Sequence, residues 1–400
     1  MSLTLDFDDF HHDLATRAES ARPLAGPLPA ALAPIAFRLP DGRAYTVGAE
    51  SETFWVRAGV DDAATVVELN ETDWRAFATE RFTRYGLLYN GRLSFASGGF
   101  EELCRWEPPL RALFHGRPVY QPQTLAFEDR HGAPLDLAQT FTLDDDQRDR
   151  AHFLQTTGFL HVRNVFDAAE IETLRADVTR LAQTSAPDDV TTWWTKTAEG
   201  DPTVCQVKYG ALRSAEITQV HDDPRVRMLL AAAGRDDMLP NLDRNEGTKI
   251  IYKHPGATEG MTDLPLHTDC GMGFHPIACP MVLVGIHLDR GDEHSGQLHV
   301  AAGSHLSTTP DAAIEDTSSW PIVALTTNAG DCTVHFSHTL HGAPPPKGGL
   351  ALGEHGRRTI YACFAPPSLF EALQPYEDLV AVMQRSDGVT MTVDEKLGKM

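Results

Sequence analysis

Met281–Leu288 reads MVLVGIHL, eight residues in which only His287 is neither apolar nor glycine. A short apolar run rich in Val and Ile, set between turns, is the pattern of a buried strand. Working outward, similar runs recur at KIIYK (249–253), 297–300, 322–325, CTVHF (332–336) and 359–364, with Gly- and Pro-rich turns between them. Several short strands at this spacing predict a sandwich or jelly roll. The fold class expected is mainly β with flanking helices, plus a small amino-terminal α/β domain.

Upstream, FLQTTGFLHV (153–162) reads as a helix end, a turn at Gly158 and a strand. Asp167 and Glu170 then fit a capping box, followed by an apolar stripe at Ile171, Leu174, Val178 and Leu181. The polar stretch 128–150, with its acidic run Asp144-Asp145-Asp146, marks a boundary. Residues 1–130 are assigned to the first domain, 131–147 to a linker and 148–400 to the second domain. Within the first, the runs TFWVR (53–57) and ATVVEL (64–69) predict strands. One helix is predicted after a cap at Thr72, with Trp74, Phe77 and Arg81 at helical spacing. Another carries Phe100, Leu103 and Trp106 and should stop at Pro108-Pro109.

The 400 residues carry 34 Lys plus Arg against 56 Asp plus Glu, a formal charge of −22 that disfavours nucleic acid and acidic membrane surfaces as partners. No run is apolar enough to span a bilayer, and the acidic opening lacks the features of a signal peptide, so a cytoplasmic protein without membrane insertion is expected. The six cysteines form no CxxC pair and suggest neither a zinc cage nor a disulfide framework. Asn70-Glu71-Thr72 fits a glycosylation pattern by chance in such a chain. Ten of the eighteen histidines fall between His254 and His341, which directs attention to metal binding.

Within LPLHTDCG (264–271), His267 and Asp269 stand two apart, so an extended backbone turns both side chains to one face. His341, at the end of a β run in FSHTLHGAPPP (336–346), is the best third ligand. Two histidines and one carboxylate on one face of an octahedron leave three positions open, the arrangement of non-haem Fe(II) oxygenases. His221-Asp222-Asp223 has the same form, but it precedes a helical run at 224–230 and reads as a cap.

The succession HTD, GQLHVAAGSH (296–305), AGDCTVHFSHTLHGAPPP (329–346) and RRTIYACF (357–364) resembles the phytanoyl-CoA dioxygenase family of Fe(II)- and 2-oxoglutarate-dependent oxygenases, as does the opening FLQTTGFLHVRNVFDAAEIETL. The likeness runs from about residue 147 to 370 and implies a double-stranded β-helix. Carried over, it makes His267, Asp269 and His341 the iron ligands, with 2-oxoglutarate and O2 as co-substrates. Arg357 would fork onto the distal carboxylate of 2-oxoglutarate, whereas Arg358 should face the other way on the same strand. The family's hydroxyl two places after the distal histidine is Ala343 here, so either another hydroxyl such as Thr359 or Ser337 substitutes or 2-oxoglutarate is held less tightly. Asp269 argues against halogenation, because halogenases of this kind carry a small residue there. His305 of the GSH turn reads as structural, and His275, His299, His335 and His338 as supporting or surface groups. Trp193, Trp194 and Phe274 are candidate substrate-pocket aromatics, against a plain packing role.

FWVRAG, AATVVEL and YGLLYNGRLSFASGG, within 46–120, resemble the sterol carrier protein family. That likeness implies an apolar cavity for a lipid-like ligand; the other reading is a scaffold serving homodimer formation or stability. The expected activity is hydroxylation of a small or medium organic molecule, lipid-like or a secondary metabolite. Desaturation, cyclisation or epimerisation on the same fold remains open. So does a lipid carrier with a silent oxygenase domain.

Overall fold

The computed structural model describes residues 5–26, 28, 32–50, 53–89, 91–119, 124–186, 189, 191–197, 200–244, 247–254, 257, 263–269, 279–307, 320–347 and 356–370. The chain divides into two compact units, one built chiefly on Met1–Gln121 and one on Pro122–Asp269, Cys279–His305 and Ser318–Met400. Among the described residues no helix is long and apolar enough to cross a membrane.

The first unit is α/β. Strands β1 (Ile35–Arg38), β2 (Ala44–Ala49), β3 (Phe54–Ala58), β4 (Thr65–Glu68) and β5 (Ser94–Ser97) form one sheet in the order β3-β2-β1-β4-β5. The β1–β4 pair is parallel and the others antiparallel. Helices α1 (Phe7–Ala21), α2 (Glu71–Ala78), α3 (Arg84–Tyr89) and α4 (Phe100–His115) complete the unit, and Phe7, Phe37, Trp74 and Trp106 fill its core. Two helix boundaries differ from expectation. The cap of α2 is Asn70, whose side chain accepts from the Asp73 N–H, so Thr72 lies inside the helix and Arg81 beyond its end. Helix α4 runs through Pro108-Pro109 instead of stopping there. An interior proline costs roughly 3 kcal/mol. The pair costs about twice that, and the continued helix buries Leu110, Leu113 and Phe114, a gain of about 1.5–3 kcal/mol each that is of the size needed to offset it.

The second unit is mainly β. Helices α5 (Gln147–Thr157), α6 (Ala168–Gln183), α7 (Gly210–Arg213), α8 (Ala215–Val220), α9 (Pro224–Ala231) and α10 (Pro367–Phe370) flank twelve strands. Among the described residues these are β6 (Phe159–Val162), β7 (Thr192–Lys196), β8 (Pro202–Val207), β9 (Leu239–Pro240), β10 (Lys249–Lys253), β11 (Leu264–His267), β12 (Val282–His287), β13 (Leu298–Ala301), β14 (Ile322–Leu325), β15 (Cys332–Phe336), β16 (His341–Ala343) and β17 (Arg357–Ala365). The larger sheet runs β6-β15-β12-β17-β10-β8-β7, with β9 on β17; the smaller runs β11-β16-β13-β14. From β10 to β17 the chain visits larger, smaller, larger, smaller, smaller, larger, smaller and larger sheet in turn. That winding is a double-stranded β-helix, left open at its edges and not closed into a barrel.

Strand alternation gives the larger sheet two unlike faces. Ile250, Tyr252, Val282, Val284, Ile286, Val334, Ile360 and Phe364 form the helix-side core with Ile171, Leu174, Val178 and Leu181 of α6. The intervening residues include Lys249, Lys253, His287, Thr333, His335, Arg357, Thr359 and Tyr361, a polar set on the face toward the smaller sheet. Contacts across that gap, such as Lys253 Nζ to the Ala343 carbonyl at 2.8 Å, join the two sheets. The α6 capping box forms as expected, and Asp223 caps α9. Residues 131–147, read as a linker, lie against this unit: Phe141 is buried beside Phe153 (ring centroids 5.3 Å apart), and its N–H donates to the His161 carbonyl.

Candidate metal centre

Strands β11 and β16 of the smaller sheet are antiparallel neighbours, with Leu264 opposite Ala343 and His267 opposite His341. The pairing sets the two imidazoles side by side, ring centroids 4.5 Å apart. Asp269 follows two residues after His267, just past the strand end, where its N–H donates to the Ser337 carbonyl at 2.9 Å. One ligand atom from each of His267, Asp269 and His341 lies within 4.8 Å of the other two.

The imidazoles are oriented alike. His267 Nδ1 bonds the Pro265 carbonyl and His341 Nδ1 the Thr339 carbonyl, each at 2.9 Å. A ring whose Nδ1–H is given to a carbonyl presents an unprotonated Nε2 lone pair on its other side, which is the form a metal requires. Burial pushes both histidines down, His341 well below its usual value, which also favours the neutral ligand form. Burial alone would raise the Asp269 carboxyl, but the Lys249 ammonium, His341 and His335 together hold it well below the usual range. Two neutral nitrogen donors and one carboxylate oxygen thus converge, a donor set that fits a divalent iron of the facial-triad kind.

Two groups read only loosely from sequence, or missed, complete the surroundings. Lys249 Nζ lies 2.5 Å from Asp269 Oδ1, and His335 Nε2 lies 3.4 Å from Oδ2. Both come from the polar face of the larger sheet. Their signal was available in KIIYK and CTVHF, where a charged or polar residue recurs at period two inside an apolar strand.

Arg357 is buried on that same face. Its Nη2 donates to the Gly296 carbonyl at 2.7 Å, Nε to the Ser295 carbonyl at 3.3 Å and Nη1 to Thr359 Oγ1 at 3.1 Å. Burial pulls its guanidinium below the usual value, opposed first by Tyr361, with which it hydrogen-bonds. Among the described residues no carboxylate lies within ion-pair distance of it. Arg358 turns the other way and is committed to Asp289, with two contacts of 2.8 and 2.9 Å. Thr359 is therefore joined to Arg357, whereas Ser337 meets the site through its carbonyl to Asp269. Tyr361, four residues after Arg357 and so on the same face, was overlooked in the sequence. Its ring passes over Gly285, where a Cβ would come within 2.9 Å of it, and reaches 6.0 Å from His335.

The aromatic candidates separate. Trp193 pairs in register with Gln206, which pairs with Ile251, which pairs with Thr359. It therefore lies three strands from Thr359, about 14 Å at the usual inter-strand spacing. Trp194 packs against the helix-side core, as its packing role would have it. Phe274 and His275 lie outside the described residues. His305 is buried with Nε2 on the Gln155 carbonyl, and His338 Nδ1 bonds the Cys279 carbonyl, both structural uses.

Residues 154–349 match the family model of phytanoyl-CoA dioxygenase (PhyH), the family whose motifs the sequence resembles. That match leaves out the amino-terminal unit and its likeness to sterol carrier proteins. No curated protein matches the chain. Among solved structures, the non-heme alpha ketoglutarate dependent epimerase SnoN from nogalamycin biosynthesis is 20% identical, covering 55% of this chain and 82% of its own, with a TM-score of 0.43. EctD from S. alaskensis with bound Fe is 18% identical over 62% of this chain and 88% of its own, TM-score 0.46. HygX from Streptomyces hygroscopicus with nickel and 2-oxoglutarate bound is 18% identical over 55% and 87%, TM-score 0.40. Residues 154–349 of the second unit are thus similar to the phytanoyl-CoA dioxygenase family, on a double-stranded β-helix.

Proposed function

We propose that this chain is a Fe(II)- and 2-oxoglutarate-dependent dioxygenase that hydroxylates a small or medium organic substrate, with succinate and carbon dioxide as co-products. The observation that carries the reading is the convergence of one ligand atom each from His267, Asp269 and His341, with both Nδ1 atoms bonded to carbonyls so that Nε2 is left for an ion. Iron held there supplies the oxidising chemistry that no amino-acid side chain offers.

The protein's own residues do the rest. The Pro265 and Thr339 carbonyls fix the ligand rings, so the donor geometry is set before any ion arrives. Arg357, buried without a carboxylate partner among the described residues, is the group for the distal carboxylate of 2-oxoglutarate, and the fork geometry of guanidinium suits it. Thr359 and Tyr361 hold that guanidinium in place, in the part of the site where Ala343 offers no hydroxyl. The buried polar face of the larger sheet limits water on one side of the reacting centre.

Succinate formation from 2-oxoglutarate under air, with Fe(II) and a panel of lipids, amino acids and secondary metabolites, tests the reading. His267→Ala, Asp269→Ala and His341→Ala should each lower it at least a hundredfold; full activity in any one removes that residue from the triad. Mass analysis of the product distinguishes the outcomes: one added oxygen for hydroxylation, two lost hydrogens for desaturation or ring closure, an unchanged mass for epimerisation.

A further inference from the structure

Asp269 is held from two sides by residues of the opposite sheet. Lys249 Nζ lies 2.5 Å from Oδ1, while Oδ2 faces His335 Nε2 at 3.4 Å and His341 Nε2 at 3.7 Å. Lys249 belongs to β10, in register with Tyr361 on β17, and its side chain is only 11% exposed, as is that of Asp269. The pair is therefore largely withdrawn from bulk water, where neighbouring charges act on each other more strongly than at a surface.

This arrangement has two chemical consequences. With Oδ1 engaged by the ammonium, Oδ2 is the oxygen that faces the His335 and His341 nitrogens, an orientation that favours a one-oxygen ligand. The ammonium also cancels the one formal negative charge of the donor set. A divalent cation entering the triad then meets a neutral cluster of two imidazoles and an ion pair instead of an anionic one.

We propose that Lys249 is a positioning residue that fixes Asp269 as a one-oxygen ligand and, by sharing that carboxylate with the ion, weakens the site's hold on divalent metal. The proposal rests on the assignment of His267, Asp269 and His341 as metal ligands. Two effects of removing Lys249 oppose each other: Asp269 loses an orienting bond, and it gains a full negative charge facing the ion. The second is the larger, because an unpaired, largely desolvated carboxylate gains more from a divalent cation than a hydrogen bond of ordinary strength costs in alignment.

The test is Mn(II) binding to the full-length protein, with free Mn(II) read from its EPR signal, in wild type, Lys249→Met, Lys249→Gln and Lys249→Arg. Lys249→Met and Lys249→Gln should bind at least tenfold more tightly than wild type, and Lys249→Arg within about threefold of it. Without metal, Lys249→Met should unfold several degrees below wild type and recover on adding Mn(II). Unchanged or weaker binding in both neutral variants overturns the proposal, since a merely structural lysine could only loosen the site. Should Lys249→Met fail to fold, the smaller polar change Lys249→Gln decides. Binding by wild type that is lost in Asp269→Ala but unaltered in Lys249→Gln refutes the role of Lys249 and leaves the metal site standing. If neither wild type nor the Lys249 variants bind Mn(II), the metal assignment falls and this proposal with it.

Discussion

Arg357 presents a buried guanidinium held by carbonyls and hydroxyls, with no carboxylate in ion-pair range among the described residues. A buried charge without its counter-ion is a cost to the folded state, offset only when an anion arrives. Arg357→Leu should therefore leave the thermal midpoint unchanged or raise it when 2-oxoglutarate is absent, yet abolish the stabilisation that 2-oxoglutarate gives in the presence of Mn(II). In wild type that stabilisation should approach about 2.7 kcal/mol at a hundredfold excess over Kd. A variant that keeps the ligand-induced shift would reassign the carboxylate to another cation. At this scale the candidate triad drew notice because HxD on an extended backbone turns two side chains to one face and the family resemblance singled it out; His341, read at the end of a β run, instead opens β16, five residues past the end of β15. The choice of Arg357 over Arg358 followed from the same alternation. Lys249 and Tyr361 show in sequence only as polar positions at period two inside apolar strands; their relation to the site depends on the larger sheet turning that face toward the smaller one, which brings Lys249 to Asp269.

Gly158 shows how the elements are joined. It closes α5 in a left-handed conformation (φ 84°) and hands the chain to β6, which pairs with β15. A Cβ there would lie 2.4 Å from His305 Nδ1 and 2.9 Å from Thr339 Oγ1. Gly132 has nearly the same φ, 82°, but a Cβ at that position would meet nothing within 4 Å. Gly158→Ala should cost roughly 1 kcal/mol for backbone strain plus a further 1–3 kcal/mol for overpacking, whereas Gly132→Ala should show only the first. Urea unfolding of the two variants gives the difference directly, and equal losses would mean that His305 and Thr339 yield without cost. Helix α6 was legible because its cap and apolar stripe agree. The end of α4 was not, because the prolines signal locally while the burial that overrides them is tertiary. Strand β11 was assigned only through HxD: its residues are half exposed and carry no apolar alternation.

Across the whole molecule, the histidines that do not belong to the centre shape its response to acid. His11 in the first unit and His305 in the second are each pushed down to about 4, chiefly by burial, and burial also lowers His221. A histidine depressed from 6.5 in the unfolded chain to about 4 in the folded one makes the unfolded chain bind more protons between those values. Stability from it is complete above pH 6.5 and is lost as pH falls toward 4, by up to roughly 3 kcal/mol per histidine. The formal charge of −22 works in the opposite sense, since protonating carboxylates relieves repulsion on acidification. That effect is spread over the surface and screened beyond about 8 Å at physiological ionic strength, so the buried histidines should win. The thermal midpoint measured in 0.15 M salt should therefore fall continuously from pH 6.5 to 4.5. His11→Gln, which keeps a donor for the Phe7 carbonyl that His11 Nδ1 now bonds at 2.7 Å but cannot titrate, should make that fall shallower. A midpoint that holds level or rises over this range would mean that surface repulsion, and not histidine burial, governs the acid limb. The clustering of ten histidines directed attention to metal binding, but geometry and not burial separates its members: His267 and His341 converge with Asp269, whereas His305, pushed down by burial as they are, is spent on the Gln155 carbonyl.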